Sequence, residues 1–296
     1  MNSPAEPWRH TLDHPAMSTW NARLELDFQR TARGTVLSRN RRQGPLYVQK
    51  PFYPEGADLA HVLLLHPPGG MVSGDTLELE MTLAQDAGAL LTTPGAGRMY
   101  RMRPDGLVQT QRNHLRVAKG ASLEWLPLET IVYPKARVRG RTAFELEAGA
   151  SLFAWEVCCL GLPASHAQFD EGELDQTFSV HCEGRLHLKE RILIDNNSRE
   201  LMEATVAWQS QPVVGLFLGG PWPEPLSEQT MDTLRAHCEA LPSSHLATVT
   251  EIEGFVLARY LGPCSEQARN LFARLWTLLR PGLLGRAACP PRIWRT

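Results

Sequence analysis

Three stretches of the chain resemble one another: TLAQDAGALLTTPG (82–95), LRVAKGASLEWLPL (115–128) and FELEAGASLFAWEV (144–157). Each reads as a strand, a Gly-Ala corner and another strand, which makes Gly88, Gly120 and Gly149 equivalent. A period of about thirty residues marks stacked supersecondary units, none of which can bury its apolar face alone. Glycine at each corner admits a bend that a Cβ would resist, and the small Ala after it lets successive turns approach closely. Chance recurrence of a common hairpin signal is the competing explanation. Short strands broken by Gly and Pro nevertheless run from Trp20 to about Gly220. The expectation is a mainly β chain, a β-helix-like stack of short strands.

The last quarter changes period. Ser227 is placed to cap a helix in which Met231, Leu234, Cys238 and Leu241 share a stripe, ending at Pro242. A second helix begins at Ser265, turns Ala268, Leu271, Phe272, Leu275 and Leu279 inward, and is expected to stop at Pro281. Between them, HLATVTEIEGFVLARYLG (245–262) predicts two strands around Gly254. The joint GGPWPEP (219–225) is too short and apolar to swing freely. A strand-rich body over 20–220 and an α/β part with two helices over 221–296 are therefore expected to form one structural unit.

With 296 residues, 43% of them hydrophobic, the chain has ample material for a core. A formal net charge of -2 supplies no electrostatic footprint for nucleic acid or an anionic membrane surface. No apolar run approaches a membrane span, and MNSPAEPWRH lacks the basic and apolar regions of a secretory signal. The six cysteines form no C-x-x-C pair and no zinc or disulfide spacing. These features point to a soluble, cytoplasmic protein with reduced thiols. Arg137, Arg139 and Arg141 alternate and would share one strand face, either a solvated one or a partner surface.

HPPGGMVSGDTL (66–77) has the look of a phosphate loop, but no Lys follows the glycines and TLELEMTL alternates with the period of a strand. A nucleotide site is excluded. Neither G-x-S-x-G nor H-E-x-x-H occurs. His181 and His187 flank a hairpin signal at Gly184 and read as surface histidines before metal ligands; the vicinal pair Cys158–Cys159 reads as buried small side chains. The carboxylates say more. Asp75 follows the glycine turn, Glu124 and Glu129 flank WLPL, and Glu156 interrupts the apolar run LFAWEVCCL. A carboxylate there is costly unless paired or wet. Three explanations stand open: a structural ion pair, an acid–base pair of a solenoid glycosidase, or the lining of a water-filled passage for a cation.

Taken together, GPLYVQKPFYPEG, HPPGGMVSGD, LLTTPGAGRMYR, LEWLPLETIVYP, FAWEVCCLGLPASHAQFDEG and the terminal PRIWRT resemble the urease accessory protein family UreD/UreH, in the same order from about Trp20 to Thr296. The resemblance implies a non-enzymatic chaperone for nickel insertion into apo-urease, with no permanently bound cofactor and only transient nickel. It implies partners as well: a UreF-like helical accessory protein, a UreG-like GTPase reached through the complex, and apo-urease. It further implies an internal water-filled passage with Asp75, Glu129 and Glu156 as lining candidates, and Tyr100, Arg101 and Arg98 as candidates for shaping the core or a partner surface. A purely structural scaffold of the same complex is the alternative. Against the family pattern, Arg98 stands for the usual Lys, Leu128 for Gln and Leu162 for Arg.

Overall fold

The computed structural model describes residues 19–295. The segment MNSPAEPWRH, read above for a leader, and Thr296 lie outside the described residues. An antiparallel hairpin, β1 (Asn21–Thr31) and β2 (Gly34–Gln43), opens the chain, followed by the short β3 (Tyr47–Val48) and β4 (Leu59–Leu65). The chain then shuttles between two sheets. β5 (Thr76–Leu83) enters the first and β6 (Gly88–Thr92) the second, before β7 (Gly97–Met99) forms a short third side. The next coil repeats this with β8 (Gln109–Val117), β9 (Ser122–Trp125) and β10 (Thr130–Val132), and the next with β11 (Arg137–Leu146) and β12 (Ser151–Leu160). β5, β8 and β11 lie parallel in one sheet, β4, β6, β9 and β12 in the other, and β7 and β10 pair in parallel on the third side. The β-helix-like stack expected from the repeat is present.

The corners differ in one respect from the expected alignment. Ladder register sets Gly88 opposite Ser122, and Ser122 opposite Ser151, so the true equivalents are Asp86, Gly120 and Gly149. Each is the third residue of a turn closed by a backbone bond, Ala87 N–H to Ala84 O, Ala121 to Ala118 and Ala150 to Glu147, at 3.0–3.1 Å. All three carry positive φ, 58° at Asp86, 69° at Gly120 and 72° at Gly149. Gly-Ala in the first copy is thus shifted by two residues. The conserved geometry is the left-handed corner, which Asp tolerates better than most residues with a Cβ. Behind it the buried Ala87, Ala121 and Ala150 stack at the coil junction.

β13 (Glu173–Cys182) joins β11 in parallel and turns through Glu183 and Gly184, both at positive φ, into the antiparallel β14 (Arg185–Ile194). A one-turn helix, α1 (Glu200–Glu203), was not foreseen by the sequence pattern; it precedes β15 (Val213–Gly220), which is antiparallel to β12. The first sheet therefore runs β14-β13-β11-β8-β5-β1-β2. The second is extended by α2 (Glu228–Glu239), β16 (Leu246–Ile252) and β17 (Phe255–Gly262), whose strands pair on beyond β15, and closes with α3 (Ser265–Leu284).

The core has two layers, and β12 shows why. Its Leu152, Ala154, Cys158 and Leu160 face the other sheet, while Phe153, Trp155, Val157 and Cys159 face α2 and α3. A run as apolar as LFAWEVCCL is what burial on both faces requires. Met231, Leu234 and Cys238 of α2, and Ala268, Leu271, Phe272, Leu275 and Leu279 of α3, are buried as the helical stripe predicts. Of the C-terminal PRIWRT, residues 291–295 dock as a short turn, with the Trp294 ring against Trp155 and Trp276 and its Nε1 donating to Thr92 Oγ1 at 2.9 Å.

α3 does not stop at Pro281. It continues to Leu284 and ends where Gly285, at φ 65°, donates its N–H to Pro281 O at 3.0 Å. The proline removes one backbone bond in the last turn only, and the buried Leu279 and Arg280 just before it hold the backbone on course.

If left-handed corners organise the coils, two substitutions should act in opposite directions. Gly149→Ala should cost about 1–2 kcal/mol through conformation alone, because its added methyl would meet nothing closer than Gly120 N at 3.9 Å. Asp86→Gly should be neutral to about 1 kcal/mol stabilising, relief of left-handed strain being offset by chain entropy. Urea midpoints of the two variants against the parent test both signs.

Candidate functional site

Inward-facing positions of the coils are not all apolar. Gln111 of β8, Gly140 of β11 and Gln176 of β13 lie in one register row, with Asn113 and Thr142 in the neighbouring row. Glu156 faces them from β12 across the space between the sheets. Small and polar side chains at these positions leave the interior unfilled, and two cavities result. The first, about 310 Å³, is lined by Gln111, Asn113, Gly140 and Thr142 and reaches the loops carrying His66, Gly69 and Arg98. The second, about 600 Å³, is lined by Cys158, Phe178, Trp208, Leu216 and Tyr260 and reaches the side of the molecule between β14 and β16. Glu156 and Gln176 line both.

Glu156 is therefore the carboxylate at the junction. Its Oε1 accepts from Thr142 Oγ1 at 2.6 Å and its Oε2 from Gln176 Nε2 at 2.6 Å, while Thr142 in turn accepts from Asn113 Nδ2 at 3.1 Å. Its surface is partly accessible although the residue lies deep within the fold. Both hold, because the open space it meets is internal. Burial pushes its pKa up, and the two hydrogen bonds only partly oppose that. Such a group can bind a proton or stabilise a cation, and the two compete.

The other expected residues sit elsewhere. Asp75 is buried, and its carboxylate accepts from Trp20 N–H at 3.0 Å and Val72 N–H at 2.9 Å. It closes the turn made by Gly74, at φ 82°, and ties it to the entry of β1. Gly70 serves packing instead: a Cβ there would approach Tyr100 Cε2 to 2.4 Å. Glu129 lies 2.8 Å from Arg269 Nε, an ion pair whose N–H direction is off the hydrogen-bonding axis, and 3.5 Å from Ser265 Oγ. Neither Asp75 nor Glu129 lines the two cavities. Tyr100 packs edge-on against Tyr133 at 5.0 Å, Arg98 stands exposed at the mouth of the first cavity, and Arg101 is exposed. His181 pairs across the hairpin with Leu186, not His187. Cys158 and Cys159 are free and buried on opposite faces of β12. Among the described residues no group of three or more His, Cys, Asp or Glu is placed to hold a metal ion.

The sequence pattern missed a second buried charge system. Arg280 of α3 is wholly buried. Its Nε and Nη2 each donate to Glu124 at 2.9 Å, and its Nη1 and Nη2 to Glu55 at 2.6 and 2.8 Å. Trp276 Nε1 donates to Glu124 at 2.6 Å, and His61 Nε2 lies 2.8 Å from Glu55. The signal was present: an Arg one turn after Trp276 on the inward stripe, and Glu124 within an apolar strand. Burial alone would raise the Glu55 carboxyl, but hydrogen bonds from His61 and Arg280, with the Arg280 charge, outweigh it and hold the pKa at about 2. Arg280→Ala strands two carboxylates and should destabilise by about 3–5 kcal/mol. Because the Glu55 pKa is depressed, its contribution is complete above the unfolded value near 4.5 and fades as pH falls toward 2. Acid unfolding of Glu55→Gln should accordingly lack part of the loss shown by the parent over that window.

A family model described as UreD urease accessory protein matches residues 21–295. The chain is 43% identical over 291 residues to a urease accessory protein UreD of Marinomonas sp., covering 96% of this chain and 93% of that one. It is 41% identical over 282 residues to the protein of the same name from Alkalilimnicola ehrlichii, covering 95% and 94% of the two chains. With the one from Marinobacter nauticus it shares 42% identity over 299 residues, 97% of each chain. A match over nearly the whole chain, at this identity, leaves one assignment: the chain belongs to the UreD family of urease accessory proteins.

Proposed function

We propose that the chain serves urease maturation as a non-enzymatic chaperone, conducting nickel through its interior toward apo-urease within a complex that includes a UreF-like helical protein and a UreG-like GTPase. The observation that carries this reading is the pair of cavities that share Glu156 and Gln176 between the sheets. A divalent cation crossing a protein interior needs space for water and a local negative potential, without a set of ligands that would hold it. One carboxylate at the junction fits that need. Burial raises its pKa, so a proton and a cation compete for the same two oxygens. Asp75 and Glu129 take supporting parts, Asp75 shaping the glycine loops by the first mouth and Glu129 tying the β9–β10 loop to α3.

A rigid scaffold is the second reading, favoured by how completely Asp75, Glu129 and Arg280 are engaged in holding elements together. The glycosidase reading weakens. The carboxylates lining the second cavity are Glu156 and Glu190, and Glu190 is tied to Arg259.

Gly140 separates conduit from scaffold. It is the one position in its register row without a side chain, and an added Cβ would stand 3.3 Å from Gln176 Cγ. Gly140→Val should plug the interior without removing a polar group. Urease produced with its accessory set carrying this variant should lose most of its nickel, while the accessory complex still assembles. Glu156→Gln should lower nickel loading about tenfold or more, since one charge at about 4 Å is worth about 4 kcal/mol at an effective dielectric of 20. Full nickel content with both variants would sink the passage and leave the scaffold.

A further inference from the structure

We propose that Glu190 and Arg259 form a clasp across the outer mouth of the second cavity and control access to Glu156 and Cys158 inside it. The use of this clasp in delivery rests on the passage reading above; its geometry does not. β14 is the edge of the first sheet and pairs in the ladder with β13, while β16 is the edge of the second. The sandwich is thus open along this side, and the cavity emerges there between Glu190 and Arg191 of β14 and Thr248 and Arg259 of the β16–β17 hairpin. Across the gap, Arg259 Nη2 donates to Glu190 Oε1. The two side chains are 43% and 33% exposed, which places them at the rim, with the buried Cys158 below.

Arg191 cannot take over the contact. Its Nε donates to Asp175 Oδ1 at 2.9 Å, and Asp175 is also held by Arg141, so this guanidinium is drawn back along its own sheet. Closed, the clasp sets the Arg259 charge across the mouth with its carboxylate partner neutralised. Open, it frees the Glu190 carboxylate to face an entering cation. Exposed pairs of this kind are weak, biasing an opening equilibrium by only about 1.5- to 5-fold. A carboxylate on a docking partner is therefore a sufficient competitor for Arg259. A second cross-sheet contact, His187 Nδ1 at 3.1 Å from Glu253 Oε2, lies off the cavity lining and supplies an internal control.

The test is the rate at which iodoacetamide modifies Cys158 in the full chain, resolved by peptide mass spectrometry against the partly exposed Cys289. Burial raises the Cys158 thiol pKa, so all forms are compared at one pH, with Cys289 of the same chain as the reference. Glu190→Gln and Arg259→Gln should each accelerate modification about 1.5- to 5-fold. The parent should also accelerate as salt rises, while these variants should not. The swapped pair E190R/R259E should restore the slow rate, and His187→Gln should leave it unchanged. Parental rates in both single variants would overturn the clasp, and so would an equal rise in His187→Gln, which would mean general loosening of the seam. Nickel loading of urease with Arg259→Gln is read separately. Faster modification with unaltered loading would leave the clasp standing and remove the passage as its purpose.

Discussion

A parallel sheet cannot leave either face to water without exposing a wall of apolar side chains, and the whole architecture follows from meeting that requirement for β12 and its neighbours. On one side the second sheet covers it, coil by coil, because each turn of chain delivers one strand to each sheet. On the other side α2 and α3 lie over Phe153, Trp155 and Phe217. The C-terminal segment is thus part of the core and not an appendage. The left-handed corners at Asp86, Gly120 and Gly149 keep the coils in register, so that inward positions on successive strands fall into rows.

Two buried charge systems exploit this frame in opposite ways. Arg280, Glu124 and Glu55 are dry, mutually saturated and drawn from a helix, a central strand and a loop, so they pin three parts of the chain together. Breaking such a set is costly because a charge would be left without compensation. Glu156 is held by neutral donors only and faces open interior space. Among the described residues no cation contacts this carboxylate, the feature on which the proposed conduction of nickel rests. The same sheet therefore carries a rigid lock on its helix-covered face and a responsive carboxylate on the inner face.

Much of the fold was legible in the residues. Periodicity marked the coils, the hairpin around Gly254 and the helix stripes, because these depend on neighbours in sequence; that LFAWEVCCL is buried on both faces came from the structure. The corner alignment was misjudged by two residues since Gly-Ala is a sequence match, whereas the repeated quantity is a backbone conformation that Asp86 also adopts. Pro281 was read as a stop because a local rule ignores tertiary anchoring by Leu279 and Arg280. For the site, Glu156 was conspicuous as a carboxylate in an apolar run. Gln176, Thr142 and Gly140 were not, since each is unremarkable until register sets it opposite Glu156.

The sequence by itself determined the class of architecture, the family and a short set of carboxylates, Asp75, Glu124, Glu129 and Glu156, that needed a partner or water. Those are properties of pattern and of order along the chain. Tertiary structure alone decided that Asp75 grips two backbone amides and Glu129 an arginine while Glu156 looks into open space, and that Arg280 finds two glutamates far away in the chain. Whether a carboxylate is structural or available depends on which donors lie within about 3 Å of it, and that distance is set by how sheets and helices pack.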